Sequence, residues 1–448
     1  MSVDPDGKAE RRWSRPAGAT LRWSLVGLYA ALAVAPVAVV VLFQEIGGRS
    51  LARLIGQWCG LTGMALMALQ VIGAVRLKLF DRALGLDAVM RAHRALGLPT
   101  LLLLVAHPLM LALDMGNAYL FSLGTGSGVA FGKAALALLV IATLITLIFA
   151  KLRIDYLWMR LIHSWAAPAV LLLSAWHAFA VGSDMDLAAM KAYWYVLILG
   201  ALALFLVQEL WIRLWGRVRF RVNGVDRETH NVWTLTLEPE KGEVFPYRPG
   251  QFAFLTLRRE GFRSEEHPFT ISSAPTREGA LTFTIKESGD FTQTIGRTRP
   301  GDGALLQAPY GRFSSSLWPE AKSFIFIAGG VGITPIMSMI RFMRETGDSR
   351  PAVLIFGNRT EGDIVFREEL AALPSNLKTV HVLSEPDDTW AGPRGYVTAE
   401  LVRNHAGELL GEAEVFLCGP PAMTAAVARA LESLGVPRRR VHSERFRL

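Results

Sequence analysis

Six apolar stretches, near residues 22–43, 54–77, 92–113, 129–150, 156–181 and 192–215, fill the first half of the chain. A helix needs about 20 residues to cross the hydrocarbon core of a bilayer, and each stretch meets that length. In lipid every backbone N–H and C=O must be bonded internally, so such stretches fold as a helical bundle. The first is too long, and too charged at its far end, to read as a cleaved leader. Composition agrees, with 51% hydrophobic and 19% charged residues. That excludes a disordered or fibrous chain. The two cysteines, Cys59 and Cys418, exclude a disulfide scaffold and an iron–sulfur cluster held by four thiolates.

The formal net charge of +8 sorts by position. Lys8, Arg11, Arg12, Arg15 and Arg22 lie before or at the start of the first span, and Arg76, Lys78, Arg82, Arg91 and Arg94 lie between the second and third or at their facing ends. Lys151, Arg153 and Arg160 lie between the fourth and fifth or at the start of the fifth, and Arg213, Arg217, Arg219 and Arg221 lie at the end of the sixth or follow it. The alternate connections carry few bases. Cytoplasmic loops collect Lys and Arg, so both termini are expected in the cytoplasm. The charge orients a membrane domain, and nucleic acid is not an expected partner.

From about Val218 the apolar runs shorten to strand length and turn signals multiply, as in Asn223-Gly224, Arg248-Pro249-Gly250 and Pro300-Gly301-Asp302-Gly303. Residues 218–320 read as an antiparallel β-barrel. Over 321–448, strand-like runs at Phe324–Ala328, Ala352–Phe356, Thr379–Leu383 and Glu414–Leu417 alternate with helical stretches, which predicts a parallel α/β layer. The expected fold is therefore multidomain. Residues 1–20 form a disordered cytoplasmic N-terminus, 21–217 a six-helix transmembrane bundle, and the two soluble domains follow.

Spans three and five each carry two histidines fourteen residues apart, His93 and His107, then His163 and His177. Fourteen residues fall about 40° short of four whole turns and rise about 21 Å, so both members share a face and lie at opposite membrane depths. Odd-numbered spans run parallel, which sets His93 level with His163 and His107 level with His177. Two facing imidazoles at each depth would ligate two b-type hemes stacked across the bilayer. A single such histidine could equally bond between helices. Zinc would want more ligands converging on one point, and the spans offer no Asp, Glu or Cys at matching depth. Pro108 should perturb its helix.

Two glycine loops follow strands in the last domain. Gly329-Gly330-Val331-Gly332-Ile333-Thr334-Pro335 opens a helix, where bare backbone amides suit a pyrophosphate. Cys418-Gly419-Pro420-Pro421 is a second strand–turn–helix joint, suited to a flat ring. Each loop alone is also an ordinary tight turn. His267-Pro268-Phe269-Thr270 ends a barrel strand with an aromatic face and a hydroxyl. Lys286, with Gly289, Phe291 and Thr292, offers a cation and a turn suited to phosphate.

Together these residues resemble the NADPH oxidase and ferric reductase superfamily over nearly the whole chain. The soluble half is similar to ferredoxin–NADP reductase in Arg248-Pro-Gly-Gln-Phe252, His267-Pro-Phe-Thr270, the Gly329–Pro335 loop and Cys418-Gly-Pro-Pro421. The resemblance implies FAD, with Phe269 and Phe446 against its rings and Thr270 bonded to its redox edge. It implies phosphate contacts from His267, Lys286, Gly289 and Thr292. It also implies a nicotinamide dinucleotide held by Gly330, Gly332, Thr334 and Pro335, with Cys418, Gly419 and Pro420 flanking the nicotinamide. Arg359 sits where an arginine could pair with a 2′-phosphate, favouring NADPH over NADH. The expected activity is electron transfer from NADPH through FAD and two hemes to an acceptor beyond a bacterial inner membrane, either dioxygen giving superoxide, a ferric chelate or a periplasmic protein. A transporter or sensor with a nucleotide-binding regulatory domain is the reading of another class, and it predicts no heme spectrum. Two positions depart from the family pattern. Phe446 is followed by two further residues, and Leu111 stands where animal oxidases carry an extra histidine one turn past the outer ligand.

Overall fold

The computed structural model describes residues 19–44, 48–116, 126–149, 156–212, 216–242, 245–275 and 280–444. The expected N-terminal tail and Phe446 lie outside the described residues. The chain divides into two units, Met1–Trp215 and Gly216–Leu448.

In the first unit the six spans are helices: Ala19–Phe43, Leu51–Ala74, Leu86–Met115, Gly126–Ile148, Tyr156–Val181 and Ala188–Leu206, here numbered spans one to six. Each is long and apolar enough to cross a membrane. Span two starts at Leu51, earlier than its apolar run suggests, because the Ser50 hydroxyl caps it by accepting from the Arg53 amide at 3.1 Å. A short helix, Lys78–Leu84, occupies the basic connection after span two. Gly85 at φ 85° breaks it from span three. Span three continues through Pro99 and Pro108 to Met115, so the expected perturbation at Pro108 does not end it. Large apolar side chains such as Leu42, Leu113, Trp176 and Val196 point outward. Among the described residues every exposed large hydrophobic except Tyr396 belongs to this unit, as a lipid-facing surface requires.

The second unit begins with six antiparallel strands, β1 (Val218–Thr229), β2 (Val232–Pro239), β3 (Phe252–Arg258), β4 (Glu266–Thr270), β5 (Leu281–Lys286) and β6 (Gly303–Tyr310). Their order is β4-β3-β6-β1-β2-β5. A bridge between Ile271 and Phe283 joins the two edges, and the sheet closes on a core of Phe220, Leu235, Leu255 and Phe283. A parallel sheet follows, made of β7 (Phe324–Gly329), β8 (Ala352–Asn358), β9 (Leu377–Leu383), β10 (Glu414–Cys418) and β11 (Val441–Glu444), in the order β11-β10-β7-β8-β9. β7 is buried along its whole length, the pattern of a central strand covered on both faces. Its even-numbered residues enter one core with Phe356 and Phe416, and Ile325 and Ile327 enter the opposite one. The chain leaves β7 for β8 and β9 on one side and returns to β10 and β11 on the other. That reversal opens a crevice at the carboxyl ends of β7 and β10.

Candidate functional site

The histidines of spans three and five meet in pairs. His93 and His163 have ring centres 6.0 Å apart with planes at 87°, and His107 and His177 are 6.1 Å apart at 74°. Two metal–nitrogen bonds of about 2 Å, plus about 1 Å from each nitrogen to its ring centre, add up to roughly 6 Å, so each pair has a separation that fits two ligands of one metal. The other ring nitrogen is engaged in three of the four. His107 Nδ1 donates to the Gly56 carbonyl at 2.8 Å and His177 Nδ1 to the Gly128 carbonyl at 3.0 Å. His163 Nδ1 donates to Thr146 Oγ1 at 3.3 Å, whose own proton goes to the Ala142 carbonyl. A carbonyl only accepts, so the proton sits on Nδ1 and the Nε2 lone pair remains for a metal. Among the described residues no cluster of three or more His, Cys, Asp or Glu could hold a bare ion. Paired imidazoles without a third ligand fit a porphyrin iron, whose remaining four bonds come from the macrocycle.

In the barrel, the β3–β4 register sets Phe252 opposite Thr270. Thr270 is 6% exposed, and its hydroxyl has no hydrogen-bond partner among the described residues. A buried hydroxyl left so is costly unless a ligand completes it, which fits a flavin edge at this strand end. Phe269, Phe291 and His267 form a layered group, with His267 stacked on Phe291 at 4.2 Å. His267 Nε2 also lies 3.1 Å from Glu265, so a phosphate contact by His267 competes with that carboxylate. The Thr292 hydroxyl accepts from the Ser288 and Gly289 amides at 2.8 and 2.9 Å and so closes the turn beyond Lys286. The sequence reading missed Arg259. It is buried, lies 5.3 Å from the Phe291 ring centre, and donates to the Thr294 carbonyl at 2.6 Å, anchoring the short helix Thr292–Arg297.

The two glycine loops of the parallel sheet touch through bare backbone. A Cβ on Gly332 would lie 2.5 Å from the Cys418 carbonyl, and one on Gly419 would lie 3.1 Å from the Gly329 amide nitrogen. Gly330 takes φ +52° where the chain turns. Pro335 occupies the first turn of helix Ile333–Thr346, where no N–H is needed, and Thr334 donates to the Val331 carbonyl at 3.1 Å. Pro420 and Pro421 start helix Pro421–Ser433 after Gly419. Cys418 is fully buried, and its thiol donates to the Glu444 carbonyl at 3.8 Å. Burial, and then the Glu444 charge, push that thiol well above its ordinary range. Glu444 is a second residue the sequence reading missed; only the β10–β11 register reveals it. Asn358, at the end of β8, is buried with neither amide atom bonded among the described residues. Arg359 pairs with Glu385 at 2.8 Å, an exposed carboxylate that a 2′-phosphate would have to displace.

Three family descriptions match successive parts of the chain: ferric reductase like transmembrane component over 59–174, FAD-binding domain over 218–299 and oxidoreductase NAD-binding domain over 326–429. Ferredoxin–NADP reductase B of Sorangium cellulosum is 35% identical over 224 residues, 47% of this chain and 90% of that one. The reductase component of propane 2-monooxygenase from Mycolicibacterium goodii is 30% identical over 241 residues, 51% of this chain and 67% of that one. The glycine betaine monooxygenase reductase subunit of Pseudomonas aeruginosa is 31% identical over 239 residues, 52% of this chain and 64% of that one. The chain thus spans about two thirds, or slightly less, of those two monooxygenase reductases. Flavohemoglobin from Malassezia yamatoensis, solved with FAD and heme, has a similar fold at 17% identity and a TM-score of 0.52, covering 88% of this chain and 98% of that one. The soluble half belongs with the ferredoxin–NADP reductases, and a ferric reductase-like membrane domain, a flavin barrel and a dinucleotide sheet in this order make the chain an integral membrane NAD(P)H oxidoreductase with the domain architecture of the NADPH oxidase and ferric reductase superfamily.

Proposed function

We propose that the protein carries electrons from cytosolic NADPH across a bacterial inner membrane to dioxygen, releasing superoxide on the far side. One NADPH and two dioxygen molecules would give NADP⁺, one proton on the cytoplasmic side and two superoxide ions. The observation that carries this reading is the pair of histidine pairs, 6.0 and 6.1 Å across, on two spans. When bound, FAD and two b-type hemes supply the splitting of a hydride pair into single electrons and their passage between redox centres.

The chain's own residues supply position. Gly330, Gly332 and Thr334 receive the dinucleotide phosphates at a helix start. Cys418 and Gly419 hold the nicotinamide against the flavin, and the Thr270 hydroxyl meets the flavin edge. His93 with His163, and His107 with His177, would hold the inner and outer irons. With both imidazoles of a pair given to one iron, the protein would offer the acceptor no further ligand position there. A ferric chelate or a periplasmic protein is the alternative acceptor.

The deciding experiment purifies the full chain with its cofactors and records its absorption spectrum, then turnover with oxygen and with ferric citrate. Two hemes per FAD and a product removed by superoxide dismutase are expected. Protein with no heme, or with one, would overturn the relay. Ferrous product untouched by dismutase would move the acceptor to ferric iron.

A further inference from the structure

We propose that two glycine pairs, Gly56 with Gly60 on span two and Gly128 with Gly132 on span four, position the outer histidines His107 and His177. This rests on the heme reading above and names the residues that aim its outer ligands. In a helix the carbonyl of residue i points toward residue i+4. An outside donor can reach that carbonyl only if the side chain at i+4 is out of the way. The two pairs meet this condition on their two histidines. Gly56 O accepts from His107 Nδ1 at 2.8 Å, and a Cβ on Gly60 would stand 2.6 Å from that nitrogen. Gly128 O accepts from His177 Nδ1 at 3.0 Å, and a Cβ on Gly132 would stand 2.7 Å from that nitrogen. Both contacts lie well inside any real Cβ separation, so each second glycine is the opening through which an imidazole reaches the first.

The device fixes the rings in two ways. The carbonyl holds the proton on Nδ1 and turns Nε2 away from its own helix. The absent side chain sets how deeply the ring sits against the neighbouring span. Glycine is a poor helix former, so four such residues at these positions weaken their spans unless they serve a contact. The inner histidines lack the arrangement. His163 bonds a side chain, Thr146, and the backbone group that acts on His93 belongs to Gln70, not to a glycine. The inference is therefore specific to the outer pair.

Gly60→Ala and Gly132→Ala in the full cofactor-loaded chain test it. Gly27→Ala and Gly200→Ala, on spans one and six, are the controls, because a methyl there meets nothing within 4 Å. Heme per FAD and the low-temperature EPR signal of each heme are read, with NADPH reduction of FAD as a check on the dehydrogenase half. The two test variants should fall from two hemes toward one, or shift the outer-heme EPR signal, while both controls keep the wild-type spectrum. Two hemes with unchanged signals in Gly60→Ala and Gly132→Ala would overturn the positioning role. A wild-type protein without heme would instead remove the reading beneath it. If the alanine variants do not accumulate, His107→Gly with added imidazole replaces them. Adding Gly60→Ala to that variant should weaken imidazole binding tenfold or more, and equal affinity would overturn the proposal.

Discussion

Cys418 and Glu444 stand side by side at the carboxyl edge of the parallel sheet, paired in the β10–β11 register. The thiol points at the Glu444 backbone, and both residues are almost wholly buried. A nucleotide ring entering the crevice between β7 and β10 would meet this pair. The thiol meets it protonated, because burial and the Glu444 charge both oppose a thiolate.

That raised thiol makes stability depend on pH in one direction. The unfolded thiol loses its proton near its ordinary value of 9.0, while the folded one keeps it. The contribution is complete below that value and is lost as pH rises above it. The denaturation midpoint of the dehydrogenase half should therefore fall above about pH 9, and Cys418→Ala should flatten that fall while costing about 1 kcal/mol near pH 7. A midpoint that falls equally in both proteins would refute it.

Thr270→Val should have two effects of opposite sign. Removing a buried, unbonded hydroxyl relieves a desolvation cost of about 1–3 kcal/mol, so the cofactor-free protein should not lose stability. Stopped-flow reduction of FAD by NADPH should slow by roughly tenfold, the value of one hydrogen bond to the flavin. Heme content should stay unchanged. An unaltered reduction rate would remove Thr270 from the flavin edge.

Gly250 has φ +88°, and a Cβ there would lie 2.2 Å from the Phe313 carbonyl. Its amide also donates to Ser338 Oγ at 3.1 Å, tying the barrel to helix Ile333–Thr346. Gly250→Ala should cost at least about 1–3 kcal/mol in backbone strain alone and loosen FAD retention. Thermal unfolding followed by flavin fluorescence reads both changes, and an unchanged midpoint would contradict the geometry.

Arg359 is held by Glu385 on the exposed rim. Glu385→Gln should free the guanidinium and lower KM for NADPH while leaving KM for NADH alone. Arg359→Ala should raise KM for NADPH more than for NADH. Equal changes for the two donors would show that Arg359 does not read the 2′-phosphate.

His107→Leu should remove one heme and leave reduction of FAD by NADPH intact. Retention of two hemes would break the assigned ligand pairing.

Much of this was legible because long apolar runs and repeated spacings are local signals. The six spans and the fourteen-residue histidine pairs needed no knowledge of neighbours. What stayed hidden depends on neighbours. Span three begins at Leu86 among charged residues, because the break at Gly85 and not hydropathy sets its start. Helix Lys78–Leu84 is too short to leave a periodic signature. Glu444 joins Cys418 only through a parallel register, and Glu385 reaches Arg359 only because β8 and β9 are adjacent. The Gly56 and Gly60 spacing was visible, but nothing in the sequence says that a histidine fifty residues on lies against it.

The backbone contacts of Gly332 with Cys418 and of Gly419 with Gly329 have a consequence for how such an enzyme diversifies. Where two main chains touch, no side chain is left to vary, so the floor of the crevice is fixed by the fold itself. On the reading proposed for Arg359, preference between donors resides at its margin, where Arg359 and Glu385 sit in solvent. A lineage could exchange one dinucleotide for the other by surface substitutions and leave the path of the hydride undisturbed.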